Sequence, residues 1–104
     1  MSEISNLSQN IKVKKIDKET INVQVLNNNM LMAIVGQFNQ NLIHLEKLTK
    51  STIFFRGNSI TIKGNTESTI KASEAIKFLV DKFLLTNLIE KNDIILSVKK
   101  NINS

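Results

Sequence analysis

Two short alternating segments on either side of Gly57-Asn58 constrain the fold more than any other feature of the sequence. Residues 52–56 and 59–63 each alternate apolar and polar side chains, a pattern typical of half-buried strands. A Gly-Asn pair favours a two-residue hairpin turn in which the glycine takes a positive φ, so the strands are predicted to pair antiparallel. This hairpin disfavours a parallel βαβ fold. The predicted core face carries Ile53, Phe55, Ile60 and Ile62, and the opposite face carries Thr52, Phe54, Arg56, Thr61 and Lys63.

The residues upstream of this hairpin predict one more strand and two helices. Residues 21–25 alternate as a strand, and Asn27-Asn28-Asn29 then supplies N-cap candidates for a short helix at residues 30–35. Gly36 interrupts this helix, and a second helix is predicted after it. Its expected buried stripe consists of Phe38, Leu42, Leu45 and Leu48.

A long helix after Gly64-Asn65-Thr66 is predicted to close the core. Its expected buried stripe consists of Ala72, Ala75, Ile76, Leu79 and Phe83. We also expect two apolar triplets, residues 83–85 and 94–96, to complete the core. The order strand, helix, helix, strand, strand, helix indicates an α+β domain with a three-stranded sheet and helices packed on one face only.

The chain divides into three predicted parts. Residues 1–20 form a flexible N-terminal arm, in which a weak alternation at residues 11–14 is compatible with a short edge strand. Residues 21–86 form the folded domain, since 104 residues suffice for one core. Residues 87–104 form a C-terminal extension, which we expect to be a loop followed by a short helix from about residue 97.

The composition argues against catalysis, metal binding and membrane insertion. The chain has no Cys, and its single histidine, His44, has no acidic cluster with which to hold a metal. We expect His44 on the solvent face of the second helix and Glu46 paired with Lys50 one turn later. No nucleophile–base pair is evident, so we predict neither catalytic residues nor a cofactor, and the chain is not expected to be an enzyme. Without a leader-like N-terminus or an apolar run of about 20 residues, it is predicted to be cytoplasmic.

The segment around Gly36 carries the strongest functional signal. A tight turn between two short helices directs the first amides of the second helix towards solvent, where free N–H groups and the helix dipole favour phosphate. Gly36 has no Cβ and therefore permits the close approach of a ligand. The net charge of +5 also favours polyanionic partners. A glycine between helices is also a common C-cap, and this purely structural interpretation stays open.

This arrangement resembles the KH domain, in which a GXXG loop clamps a nucleic-acid backbone. Here the loop reads Gly36-Gln37-Phe38-Asn39, and Asn in place of the second glycine tolerates a left-handed conformation. Residues 36–42, Leu45-Glu46, residues 55–58 and residues 62–64 are also similar to the N-terminal domain of PhoH-like proteins. That family typically shows a Gly-x-x-Asp-x-Asn-Leu run, a later Glu, and an Arg-Gly-Asn turn before a short strand that ends in Gly.

The PhoH-like resemblance covers about residues 21–103, most of the chain. In that family the KH-like domain precedes a P-loop ATPase domain implicated in RNA metabolism. The three glycines here are followed by Gln, Asn and Asn, so no P-loop pattern can be written. The resemblance therefore implies a domain fragment of an ATP-binding family, with a P-loop ATPase domain as its partner.

The residues expected to contact RNA or another single-stranded nucleic acid are Gly36, Gln37, Phe38, Asn39, Asn41, Lys47, Arg56 and Lys63. Lys47, Arg56 and Lys63 are expected to form a basic rim beside the turn together with Lys50, although an ordinary solvated lysine surface is an alternative. Arg56 is the only arginine in the chain, and a guanidinium clamps phosphate or stacks on a base. Phe54 is a candidate stacking platform. The rival hypothesis is a protein-interaction or oligomerisation domain that positions the ATPase, with Phe54 in its docking face.

Overall fold

An antiparallel sheet organises the part of the chain that the computed structural model describes, residues 10–102. In chain order the elements are β1 (Ile11–Asp17), β2 (Thr20–Val25), α1 (Asn28–Val35), a 3₁₀ turn (Gln37–Asn39), α2 (Gln40–Thr49), β3 (Thr52–Arg56), β4 (Ser59–Lys63), α3 (Thr66–Thr86) and α4 (Lys91–Ile102). The strands lie in the order β1-β2-β4-β3, and every neighbouring pair is antiparallel. The domain is therefore α+β, as the sequence predicted.

Local side-chain chemistry begins the helices where the sequence indicated. The side chain of Asn27 accepts a hydrogen bond from the amide of Met30 at 3.0 Å and caps α1. Asn65 caps α3 in the same way, accepting from the amide of Ser68 at 2.8 Å. Each asparagine satisfies one of the amides that a helix N-terminus leaves without an intrahelical partner.

The predicted hairpin between β3 and β4 is confirmed. Gly57 takes a φ of +60° in the turn, and Arg56 lies opposite Ser59 in the ladder. The apolar residues of β2, β3 and β4 point to one face and pack against α1, α2 and α3, while α4 packs against α2 and α3. The buried residues of this sheet face are Ile21, Val23, Val25, Ile53, Ile60 and Ile62.

The prediction of a three-stranded sheet was wrong, because a fourth strand precedes the other three. Strand β1 occupies residues 11–17, which the sequence assigned to a flexible arm, and pairs with β2 from Ile11 opposite Val25 to Asp17 opposite Thr20. Ile11 is only 4% exposed and joins the core. The ladder with β2 extends through residues 11–17, beyond the short edge strand with which the weak alternation at residues 11–14 was compatible. Residues 1–9 of the predicted arm lie outside the described residues.

The helical phase of α2 differs from the predicted stripe at both ends. Leu42 and Leu45 are buried, whereas Phe38 is 84% exposed and Leu48 is 36% exposed. Phe38 lies in the 3₁₀ turn with a φ of +54°, outside α2, so it does not share the face of Leu42. Thr49, one turn after Leu45, takes the place expected for Leu48 and donates its hydroxyl to the Leu45 carbonyl at 2.7 Å.

The C-terminal segment is helical over a longer stretch than predicted. Helix α4 begins at Lys91 rather than near residue 97, and Ile94 and Val98 enter the core. The two triplets expected to complete the core are buried only in part, because Leu84, Leu85 and Leu96 are exposed. The amphipathic turns of α3 and α4 therefore present leucines to solvent on their outer sides.

An acid–base pair joins α4 to α3. Asp93 accepts a hydrogen bond from Lys82 Nζ at 2.8 Å through Oδ1 and one from the amide of Glu90 at 2.8 Å through Oδ2. Burial raises the pKa of the Asp93 carboxyl, but the hydrogen bond from Lys82, the bond from the Glu90 amide and the charge of Lys82 together hold this pKa below its ordinary value of 3.8.

The Asp93 pair predicts a pH-dependent stability. Because the folded state holds the pKa of Asp93 below 3.8, the charged pair stabilises the fold above this pH, and the contribution is lost as the pH falls through the lowered pKa. Asp93→Asn should lower the free energy of unfolding by about 1–3 kcal/mol at neutral pH and flatten the acid limb of the stability curve. Denaturant melts from neutral to acidic pH measure both effects. If the free energy of unfolding falls equally with acidic pH in wild type and in Asp93→Asn, the lowered pKa of Asp93 is contradicted.

Candidate functional site

The turn between α1 and α2 is built from residues with left-handed or glycine-only backbone conformations. Gly36 ends α1 with a φ of +80° and a ψ of 168°, and its amide donates to the Met32 carbonyl at 2.9 Å. Phe38 and Asn39 follow with φ values of +54° and +61°. The Asn39 amide donates back to the Gly36 carbonyl at 3.2 Å. The chain thus reverses sharply, and Phe38 lies exposed in the turn.

Asn41 holds this turn in place from the first turn of α2. Its side-chain amide donates to the carbonyl of Ala33, near the end of α1, at 3.1 Å. A Cβ added to Gly36 would lie 2.7 Å from both Cγ and Nδ2 of Asn41, closer than such atoms can approach. A larger residue would displace the Asn41 side chain, so packing inside the domain favours glycine at this position. Asn41, which the sequence placed among the ligand contacts, has a structural role that the helix–Gly–helix pattern did not reveal.

The N-terminus of α2 has no side-chain cap. Asn39 occupies the N-cap position in a left-handed conformation, and its side chain makes no capping hydrogen bond. The first amides of an α-helix lack intrahelical acceptors, and they carry the positive end of the helix dipole. Gln37, Asn39 and Gln40 around this end are all exposed. The amide of Gln40 donates to the Gln37 carbonyl, and no side chain caps the amides that follow it in the first turn of α2.

A groove of about 820 Å³ lies beside the turn. It runs between the C-terminal half of α1, the exposed side of α2 and the connection from α3 to α4. Four of the predicted contact residues line it, namely Gly36, Gln37, Asn41 and Lys47. Phe38 and Asn39 belong to the same turn without lining the groove, so the structure brings six of the eight predicted residues to one region.

The charged lining of the groove is basic. Lys47 and Lys91 are exposed on its wall, and the half-buried His44 also lines it. No Asp or Glu is among the described lining residues. His44 was expected to face solvent, and its place in the groove is a finding of the structure. Apolar lining comes from Met32, Ala33, Ile43, Leu88 and Ile89.

The predicted basic rim beside the turn does not form as expected. Arg56 and Lys63 point from β3 and β4 to the sheet face opposite the helices, as their pairing partners Ser59 and Thr52 do. Lys50 ends α2 at the opposite end of that helix from the turn. Only Lys47 of the four lies in the groove. The groove's second lysine, Lys91, was missed because the sequence predicted a loop there.

Glu46 binds the edge of the sheet. Its carboxylate accepts a hydrogen bond from the amide of Ile53 at 2.7 Å, where the sequence led us to expect an ion pair with Lys50. Among the described residues, the ion pairs are Lys77 with Glu74 and Lys82 with Asp93. Glu46 therefore anchors β3 to α2 and is separate from the candidate site.

Two further features of the described residues bear on the class of site. No group of three or more His, Cys, Asp or Glu side chains within residues 10–102 is arranged to hold a metal ion. In the same part of the chain, none of the helices combines the length and the apolar character needed to cross a membrane. Comparison of the chain with protein-family models, with curated proteins and with solved structures finds no match.

Proposed function

We propose that this chain is a KH-like module that binds RNA or another single-stranded nucleic acid through the Gly36 turn. The elements from β2 to α3 follow the order β-α-α-β-β-α expected of such a module, with β1 as an added edge strand. The observation that carries the proposal is the N-terminus of α2, which no side chain caps, beside a groove whose charged lining residues are Lys47 and Lys91.

The groove offers separate contacts to the backbone and the bases of a strand. A phosphate placed at the N-terminus of α2 is stabilised by the helix dipole and by the amides that follow Gln40, whose own amide donates to Gln37. Lys47, about two helical turns further along α2, then neutralises a neighbouring phosphate, and Lys91 lines the same groove. The apolar side chains of Met32 and Ile43, both exposed, provide contact area for a sugar or a base.

The PhoH-like motifs extend the proposal to a biological setting. In this proposal the module supplies RNA affinity to a P-loop ATPase domain of the same family, acts in the cytoplasm, and performs no catalysis itself. Arg56 and Gly57, which carry part of the resemblance, form the β3–β4 hairpin and its turn. Glu46, the glutamate of the PhoH-like motif, has a structural role here, because its carboxylate binds the Ile53 amide and so joins β3 to α2.

Gln40→Glu is expected to weaken binding to a short oligouridylate without weakening the fold. Gln40 is the first residue of α2 and is exposed, so the isosteric carboxylate favours the helix dipole by about 0.3–1 kcal/mol. The same charge repels a phosphate at the turn, and we expect an affinity loss of about tenfold, the factor that corresponds to 1.4 kcal/mol. Fluorescence anisotropy at low salt measures the affinity, and a denaturant melt measures the stability.

Asn28→Asp is the matched control for this charge change. Asn28 is likewise the exposed first residue of a helix, α1, and lies at the end of that helix away from the Gly36 turn. This variant should bind the oligouridylate as wild type does, except for the small effect of one unit of net charge. Equal affinity losses in the two variants would mean that net charge, rather than the turn, governs binding, and the absence of binding in all three proteins would refute the proposed function.

Exposed leucines at the end of α3 favour a second candidate function, a protein-interaction or oligomerisation domain that positions the ATPase. Leu85 is 82% exposed, and Leu84 and Leu88 are exposed beside it. Clustered apolar side chains on a surface are typical of interfaces. Sedimentation of wild type and Leu85→Glu distinguishes this function: self-association that the substitution abolishes, in a protein without RNA affinity, supports it.

A further inference from the structure

The sheet face opposite the helices presents a regular array of polar and basic side chains. Residues that pair across antiparallel strands lie on the same face, so the ladder assigns three rows to it. From β1 to β3 these rows are Lys12, Gln24, Ser59, Arg56; then Lys14, Asn22, Thr61, Phe54; then Asp17, Thr20, Lys63, Thr52. Every residue of these rows is exposed or half-buried, so no described element covers the face.

The charge of this face is predominantly positive. Lys12, Lys14, Arg56 and Lys63 are all exposed, and Asp17 at one corner is the acid among the twelve residues of the rows. The carboxylate of Asp17 accepts a hydrogen bond from the amide of Glu19 at 2.8 Å in the β1–β2 turn. The other eleven residues of the rows are therefore four cations, six neutral hydrogen-bonding residues and Phe54.

Phe54 is the aromatic side chain of this face and lies between two cations. It is 44% exposed and is paired with Thr61, whose hydroxyl accepts from the side-chain amide of Asn22 at 3.3 Å. Arg56 lies two residues further along the same strand, about 7 Å away. Lys63 is the diagonal neighbour of Phe54 on β4, about 7–8 Å away. A flat aromatic surface flanked by positive charges accommodates a base together with its phosphates.

We infer that this sheet face is a second binding surface for a single-stranded nucleic acid, with Phe54 stacking on a base and Arg56 and Lys63 contacting the flanking phosphates. The inference rests on the proposed function for the class of ligand, but its residues are separate from the Gly36 groove. Four strands at about 4.8 Å spacing and three rows at about 7 Å spacing give a patch about 14 Å on each side. This area accommodates a few nucleotides.

The charge of the face selects this occupant over a second copy of the chain. Two copies packed face to face would bring the four cations of one copy against the four of the other, which is unfavourable without counter-ions. An apolar partner surface would leave Lys12, Lys14 and Lys63 desolvated without acidic partners, at a high cost. A polyanion neutralises these groups and releases counter-ions, and the bases supply a partner for the ring of Phe54.

The substitution Phe54→Trp provides a direct reporter of stacking. The chain contains no Trp, so the variant would hold a single indole, at the centre of the proposed contact. We would titrate this variant with an oligouridylate of about 8 nucleotides, a length within the range covered by one small domain. Binding should quench the fluorescence of the Trp at position 54, and the affinity obtained from quenching should equal the affinity obtained from anisotropy. An abasic strand of equal length should bind through its phosphates without this quenching. Binding of the oligouridylate without quenching would overturn the inference.

Phe54→Leu and the double variant Arg56→Gln/Lys63→Gln test the stacking and phosphate contacts separately. Phe54→Leu should weaken oligouridylate binding about tenfold, the lower part of the range for loss of one stacked base, and should leave abasic-strand binding unchanged. Phe54→Tyr should keep near wild-type affinity. Each phosphate contact contributes about 0.7 to the slope of log K against log salt concentration. The double variant removes two contacts and should therefore reduce the magnitude of this slope by about 1.4. The exposed Lys99→Gln on α4 is the control and should leave this slope unchanged.

The same titrations separate this inference from the proposed function. If Gln40→Glu weakens binding and the sheet variants do not, the Gly36 turn binds the strand and the inference is wrong. If the sheet variants weaken binding and Gln40→Glu does not, the inference stands and the turn site is wrong. If wild type binds no oligonucleotide, both fail, and an acidic protein segment becomes the next ligand to test on the face.

Discussion

Leu45→Ala is expected to lower the free energy of unfolding by about 2–5 kcal/mol, the range for truncating a buried leucine. Leu45 is fully buried, at 0% exposure, in the middle of α2, and this helix contacts α1, α3, α4 and β3. Removing three methylene-sized groups there leaves a cavity that four elements surround, and a well-packed site of this kind relaxes little. Urea denaturation monitored by circular dichroism measures the loss.

Leu48→Ala is the matched control, since it makes the same chemical change on the same helix. Leu48 is 36% exposed, so its truncation should cost under about 1 kcal/mol, as expected for a site near the surface. The sequence predicted that both leucines belong to one buried stripe, and equal losses would support that stripe and contradict the helical phase of the structure. A loss of less than half a kcal/mol in Leu45→Ala would contradict both.

The parts of the fold that the sequence predicted are those in which local chemistry decides the structure. Gly57 takes the positive φ that its hairpin requires, and Asn27 and Asn65 cap their helices. Each of these features depends on contacts between residues within four positions of each other in the chain. The sequence allowed no more than a short edge strand at residues 11–14 of a flexible arm, because β1 is stabilised mainly by its ladder with β2. Its lysines lie on an edge strand, where side-chain pattern carries little information. Asp17, which accepts from the Glu19 amide, is the local turn signal that was available.

The candidate site shows the same division between local and tertiary information. The Gly36 turn was predicted correctly as a break between two helices, because a lone glycine between apolar stripes is a local signal. The grouping of the lysines required tertiary structure: Lys47 and Lys91 line one groove, whereas Arg56 and Lys63 lie on the other side of the sheet. Alternation along β3 placed Phe54 and Arg56 on one face, but sequence alone did not show that β1 extends this face with Lys12 and Lys14.

Gly36→Asp is expected to destabilise the fold as well as to abolish binding at the turn. The structure gives Gly36 a φ of +80° and a ψ of 168°, a region essentially restricted to glycine, and forcing another residue into it costs about 1–3 kcal/mol. The new Cβ would also lie 2.7 Å from the Asn41 side chain, which must shift from the position in which it donates to Ala33. We expect a total loss of about 2–4 kcal/mol.

Gly57→Ala provides the control that separates backbone strain from crowding. Gly57 also has a positive φ, +60°, but a Cβ there meets nothing within 4 Å. Gly57→Ala should therefore cost only the strain of its backbone, about 1 kcal/mol. Gly36→Ala should cost the strain of its own backbone region, about 1–3 kcal/mol, and in addition the energy of displacing Asn41. In an Asn41→Ala background this excess should shrink, because the side chain that the Cβ meets is absent. A double-mutant cycle by denaturant melts measures the coupling. Additive losses in that cycle would show that Asn41 does not dictate the glycine at position 36.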